Sequence, residues 1–209
     1  EGGMASVYLA VQQALRREVA IKVLKAEVDD REATVRRFEQ EAHTIARLSH
    51  PHIVTIFDVG HTEDGLLFYS MPYLPDGDLG DRGRLDETSL VEVLRAVLEA
   101  LHYAHREGVV HRDVKPANIL FDGHGRPMLA DFGIAYSPAQ DARITTAGLA
   151  VGSAGYMSPE QARGESIDGR ADLYAVGVLT YEALCGELAY RGPDSLAVAL
   201  AHQQDPIPR

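Results

Sequence analysis

The apolar residues of this chain change their spacing near residue 75, and that change sets the fold class. Before it, residues 7–11 and 19–24 carry β-branched and apolar side chains around the polar stretch Gln12 to Glu18, the pattern of an antiparallel strand pair. Val35, Phe38, Ala42, Ile45 and Leu48 then recur at helical intervals over 31–48, and Ile53 to Val59 and Leu66 to Met71 return to strand-like composition. After the turn signal Pro75-Asp76-Gly77, the residues Leu90, Val93, Leu94, Val97, Leu98 and Leu101 form one helical stripe, with Asp86 as N-cap and Gly108 as C-terminal stop. A second long helix is expected from about Arg170 to Leu184 between Asp168 and Gly186, and a shorter one over Ser195 to His202. Strands with one helix, followed by helices, make this an α+β chain divided into 1–74 and 75–209.

Composition bounds the partners. The 209 residues are 45% hydrophobic and 24% charged, enough for a substantial core, and 20 basic against 31 acidic residues leave a net charge of -11. That balance excludes a nucleic-acid surface built on phosphate contacts. Cys185 is alone and cannot make an internal disulfide, so it is expected as a packed apolar thiol in a reduced, cytoplasmic setting. No run approaches the roughly 20 apolar residues that span a bilayer, and no signal peptide opens the chain, so no membrane contact is expected from this segment. Both ends read as cut: Glu1-Gly2-Gly3 runs directly into strand-like sequence, and Asp205 to Arg209 follows a helical pattern at once.

The chemistry concentrates in His111-Arg112-Asp113-Val114-Lys115-Pro116-Ala117-Asn118 and in Asp131-Phe132-Gly133. Between them lie two equal apolar runs, Ile119-Leu120-Phe121 and Met128-Leu129-Ala130, joined by the turn-rich Asp122-Gly123-His124-Gly125. A hairpin of this kind brings Asn118 and Asp131 to its open end, where an amide oxygen and a carboxylate suit hard divalent cations such as phosphate-bound Mg2+. Asp113 then faces a substrate hydroxyl, and Lys115 neutralises the transferring phosphoryl group. Strand alternation puts Ala20, Lys22 and Leu24 on one face of 19–24, so Lys22 can face a nucleotide. Glu41 flanks the buried stripe of the first helix, where a carboxylate wants a cation, and Lys22 is its expected partner; Glu39 is the alternative.

These motifs resemble the eukaryotic-type serine/threonine protein kinases, in the wording of their bacterial branch. The HRDxKPxN loop stands as 111–118, the DFG motif as Asp131-Phe132-Gly133, the VAIK strand as Val19-Ala20-Ile21-Lys22, the APE position as Ser158-Pro159-Glu160, and the helix anchoring the catalytic loop begins near Asp172. The resemblance implies a bilobal fold, with a small antiparallel-sheet lobe carrying one long helix and a mainly helical second lobe. It also implies ATP with Mg2+, or Mn2+ in its place, and protein substrates with serine or threonine acceptors, since tyrosine kinases usually replace the lysine at position 115. Gly2 falls in an incomplete phosphate-covering loop, its third glycine replaced by Ala5. Val7, Ala20 and Leu120 stand where the family sandwiches adenine, Met71, Tyr73 and Leu74 belong to the hinge, and Asp78 stands where a ribose contact is expected.

Further roles follow from the same likeness. Thr145 and Thr146 are the activation-segment acceptors, Arg112 receives their phosphate, and self-association serves autophosphorylation. Ser153 ties Asp113 to Lys115, and His111 packs on Phe132 in a column with Ile45 and Ile56. The family continues past residue 209 with helices that supply an arginine for Glu160, so this piece is expected to be less stable and less active than a longer domain. Two other readings use the same loop: a nucleotide-binding pseudokinase, against which Lys22, Asp113 and Asp131 stand intact, and an aminoglycoside-type phosphotransferase, against which Ser158-Pro159-Glu160 and the Asp172 helix speak. The remaining histidines read as surface residues, and Glu187, Asp194 and Asp205 as solvated charges.

Overall fold

The computed structural model describes residues 5–24, 31–62, 65–133 and 154–208, so Gly2, Thr145, Thr146 and Ser153 lie outside the described residues. In chain order the elements are β1 Ala5–Gln12, β2 Arg17–Leu24, α1 Arg31–Ala46, β3 Asp58–His61, β4 Leu67–Pro72, α2 Glu87–Arg106, β5 Ile119–Phe121, β6 Pro127–Leu129, α3 Pro159–Ala162, α4 Gly169–Cys185 and α5 Ser195–Gln204. Strands β1 to β4 make one antiparallel sheet in the order β1-β2-β4-β3, and the chain after it is mainly helical, so the fold is α+β. The register places Lys22 between Val7 of β1 and Tyr69 of β4, and Ala20 between Leu9 and Met71. Directly opposed residues point to the same face, so the pairing delivers Lys22 and Tyr69 side by side.

The stretch Ile53 to Val59 does not form the strand its composition suggests. Only Asp58–His61 joins the sheet, because the backbone before it pairs elsewhere: Ile53 bridges Leu129, Val54 N donates to Leu129 O at 2.9 Å, and Leu129 N donates to His52 O at 2.8 Å. This splint fixes the β5-β6 hairpin to the segment that leads into the sheet. Phe38 and Ile45 of α1, Tyr69 and Met71 of β4, Val97 and Leu101 of α2, Ile119 and Leu129 of the hairpin and Leu179 of α4 all belong to one buried cluster.

The helix ends follow the capping residues. The Asp86 carboxylate accepts from Ser89 N at 2.9 Å to open α2. At its other end Gly108 adopts a left-handed backbone at φ 77, with Gly108 N on His105 O and Val109 N on Ala104 O. This pair of bonds turns the chain sharply toward His111. Asp168 caps α4 and Gly186 closes it with φ 77. Cys185 is exposed rather than packed, because it is the last residue of α4, beyond the buried stripe that ends at Leu179. His202 is buried instead of lying on the surface, 2.8 Å from the Tyr174 hydroxyl.

The hairpin register is Ile119↔Leu129, Leu120↔Met128 and Phe121↔Pro127, one residue off the expected pair of runs, so Ala130 rather than Asp131 faces Asn118, with Ala130 N on Asn118 O at 2.9 Å. Its turn is organised by Asp122, whose carboxylate accepts from His124 N, Arg126 N and Arg126 Nε. Burial pushes this carboxyl up, but the hydrogen bonds from Arg126 and His124 and the Arg126 charge outweigh it and hold it at about 2, against an ordinary 3.8. A value depressed in the folded state stabilises the fold above 3.8, and the contribution is lost as pH falls from there toward 2. Asp122→Asn is therefore expected to cost about 1–2 kcal/mol at neutral pH in urea unfolding, with the gap to the parent closing below pH of about 4.

Candidate active site

The loop from His111 to Asn118 is shaped by a buried carboxylate. Arg112 sits at φ 71, a left-handed conformation that a side-chain-bearing residue adopts at a cost of about 1–2 kcal/mol. Asp172, on the first turn of α4 and 1% exposed, offsets this: its Oδ1 accepts from Arg112 N at 2.8 Å, and its Oδ2 accepts from His111 N at 2.8 Å and from His105 Nε2 at 2.7 Å. The other side of the Arg112 peptide is also held, since Gln161 Nε2 donates to Arg112 O at 2.8 Å. Gly169 makes room for the histidine, because a Cβ there would stand 2.5 Å from His105 Nδ1. His111 is fully buried, with Nε2 2.9 Å from Ala130 O and its ring tilted on Phe132 at 4.5 Å; burial lowers its pKa, so the ring is neutral and structural. Phe132 shares the core cluster with Ile45 and Ile56.

Next in the loop, Asp113 Oδ2 accepts from Lys115 Nζ at 2.6 Å and from Asn118 Nδ2 at 3.0 Å, and Asp113 O accepts from Asn118 Nδ2 at 2.7 Å. The amide group of Asn118, 5% exposed, thus spends its nitrogen on Asp113 and keeps its oxygen for another partner. Oδ1 of Asp113 takes part in neither side-chain bond, and the carboxylate is 22% exposed. Across the hairpin, Asp131 sits at φ 61 with Lys22 Nζ 2.6 Å from Oδ2 and the Tyr69 hydroxyl donating to Oδ1 at 2.5 Å. Burial pushes the Asp131 carboxyl up, yet the Lys22 charge and the bonds from Lys22 and Tyr69 hold it below the usual range, so it is ionised. Burial, then the Asp131 charge, push the Tyr69 phenol well up, so it remains a donor.

The other residues singled out in the sequence are distributed around this centre. Val7 is 58% exposed on β1, while Ala20 and Met71 are buried neighbours across β2 and β4. Asp78 bridges Leu120, and this bridge is closed by Leu79 N on Ile119 O and Phe121 N on Gly77 O. Asp78 opens a turn, its Oδ1 accepting from Asp81 N at 3.1 Å. Tyr73 is 40% exposed and Leu74 partly buried after β4, and Glu41 is half-buried on α1, while the ion pair seen at Lys22 is with Asp131. Glu160 lies in the first turn of α3, after the Ser158 capping box.

Tyr69, His105 and Gln161 were not singled out in the sequence. Strand alternation marks Tyr69 as buried, and its place opposite Lys22 is the only further signal. His105 and Gln161 act on residues 67 and 49 positions away, which no local pattern reveals.

Residues 1–206 match the family model described as protein kinase domain. The chain is 39% identical over 215 residues to the serine/threonine-protein kinase PknB of Mycobacterium leprae, covering 99% of this chain and 35% of that protein. It is 38% identical over 214 residues to the DNA damage-responsive serine/threonine-protein kinase RqkA of Deinococcus radiodurans, covering 100% of this chain and 32% of that protein. The chain belongs to the protein kinase family, and its relatives across the full length are serine/threonine-protein kinases. It spans about a third of the length of these relatives.

Because Asp172 serves two loop amides and an imidazole, Asp172→Ala is expected to orphan buried donors at about 1–3 kcal/mol each. Calorimetry should then show a fall in melting temperature on the order of 10 °C.

Proposed function

We propose that this chain transfers the γ-phosphoryl group of ATP to serine or threonine hydroxyls of proteins, with Asp113 as the group that accepts the hydroxyl proton. The observation that carries this reading is the paired arrangement of Lys22 on Asp131 and of Lys115 and Asn118 on Asp113, two charge clusters joined by the hairpin. Asp113 orients the acceptor hydroxyl through the oxygen left by Lys115 and Asn118. As the hydroxyl oxygen bonds to the γ-phosphorus, the bond to the β,γ-bridging oxygen breaks, ADP leaves, and the proton passes to Asp113. Lys115 balances charge on the transferring group. Lys22 exchanges Asp131 for the α- and β-phosphates, with Glu41 as its partner in the assembled state.

Asn118 Oδ1 and the Asp131 carboxylate fit a hard cation by donor chemistry, and these two residues would hold Mg2+. Among the described residues no group of three or more His, Cys, Asp or Glu side chains forms a metal site, so phosphate and water oxygens are needed to complete the shell. When bound, Mg2+ neutralises the charge of the phosphates; Mn2+ can replace it.

Val7, Ala20 and Leu120 would contact adenine, the backbone of Met71 to Leu74 would pair with its edge, Asp78 would meet the ribose, and Gly2 the phosphates. Phosphorylation of Thr145 or Thr146, received by Arg112, would be the regulatory step, reached by association of two copies; the Ser153 hydroxyl would tie Asp113 to Lys115, Asp172 holds the loop amides, and Glu160 would be a structural residue of the site. The domain would work in the cytoplasm, where ATP is supplied, either free or as the cytoplasmic part of a membrane-anchored receptor kinase. No helix among the described residues is long and apolar enough to cross one.

In the full-length protein, Asp113→Asn is expected to reduce labelling of itself and of a generic basic protein by γ-labelled ATP more than about 100-fold, with nucleotide binding retained. Undiminished transfer would remove Asp113 from the mechanism.

A further inference from the structure

Tyr69 is 3% exposed, at the middle of the buried alternation Leu67, Tyr69, Met71 along β4. It is the member of that buried row with a polar tip, and the tip is spent on Asp131, 62 residues away. Lys22 stands directly opposite Tyr69 in the β2-β4 register, so the two side chains reach the same carboxylate and take one oxygen each, Lys22 on Oδ2 and Tyr69 on Oδ1. Asp131 lies past the end of β6 at φ 61, outside the strand geometry that would otherwise direct its side chain.

We propose that Tyr69 is a positioning residue for Asp131: its hydroxyl anchors Oδ1 and leaves Oδ2 to the metal once Lys22 has moved to the phosphates. This rests on the reading of Asp131 as a metal ligand. The two partners differ in kind. Lys22 is a mobile cation whose place on Oδ2 is the one a divalent ion would take, whereas the phenol is neutral, held in the core on a rigid ring, and stays when the lysine leaves. A ligating carboxylate whose other oxygen is tied by a hydrogen bond keeps its orientation, and loss of such a partner typically costs 10–100-fold in metal affinity. A tyrosine serving only to fill space would be replaced by phenylalanine without effect on metal binding.

The test is a titration of Mn2+ followed by electron paramagnetic resonance, on the full-length protein saturated with ADP, comparing the parent with Tyr69→Phe, Tyr69→Met and Asp131→Asn. Both Tyr69 variants lack the donor, and both are expected to bind Mn2+ about 10-fold more weakly, with thermal melts confirming that the variant measured is folded. In kinase assays the half-saturating Mg2+ concentration should rise by the same factor while kcat at saturating Mg2+ stays near the parent value. If Asp131→Asn keeps the parent affinity, Asp131 is not a ligand and the underlying reading falls. If Asp131→Asn loses the metal while a folded Tyr69 variant binds it within twofold of the parent or more tightly, the site reading stands and the positioning role of Tyr69 is overturned.

Discussion

The Asp172 carboxylate is the constraint on which the rest of the site depends. Removing a carboxylate from water costs several kcal/mol unless its lone pairs are matched, and this one is matched by three donors from two other parts of the chain. Its place in the first turn of α4 adds the favourable end of a helix dipole. With the His111 and Arg112 amides fixed, Arg112 is kept in a conformation it would not choose, and the chain is turned so that Asp113 and Asn118 bond to each other at the surface of the core. Helices α2 and α4 pack against each other, and through His105 and Asp172 they hold the loop amides, so the position of Asp113 is set by the folded body rather than by the loop itself.

Two carboxylates in one site thereby acquire different environments. Asp131 is enclosed by Lys22 and Tyr69 and is held ionised against burial. Asp113 is reached by Lys115 and Asn118 on one oxygen and is partly open on the outside. The first is suited to holding a cation and the second to meeting an incoming hydroxyl. The hairpin keeps them in fixed relation, and the splint from His52, Ile53 and Val54 to Leu129 ties that hairpin to the chain entering the sheet that carries Lys22.

Periodicity made the helices legible because their burial is one-sided and their ends carry Asp86, Asp168, Gly108 and Gly186, whose side chains or left-handed backbones act locally. It misread Ile53 to Val59, where apolar composition marks burial but cannot say which neighbour takes the backbone hydrogen bonds. Cys185 failed similarly, since a thiol six residues past the end of the buried stripe at Leu179 reads the same as one within it. Asp194 and Glu187, read as solvated charges, do local work: Asp194 caps α5 through Ala197 N, and Glu187 pairs with Arg191. The candidate site residues Lys22, Asp113, Asn118 and Asp131 were picked out by the order of the motifs, whereas hairpin symmetry, which placed Asp131 opposite Asn118, missed the register by one residue. Tyr69 and His105 were not, because what distinguishes them is a partner more than sixty residues away.

Phosphoryl transfer by this chain requires these groups to converge about one triphosphate. A crystal structure of the protein with Mg2+ and a non-hydrolysable ATP analogue tests it most directly. The expected result is metal about 2.0–2.1 Å from Asn118 Oδ1 and an Asp131 oxygen, Lys22 transferred to the phosphates, and Asp113 facing the γ-phosphate. Nucleotide bound away from the β2 face, or metal held without Asn118 and Asp131, would contradict it.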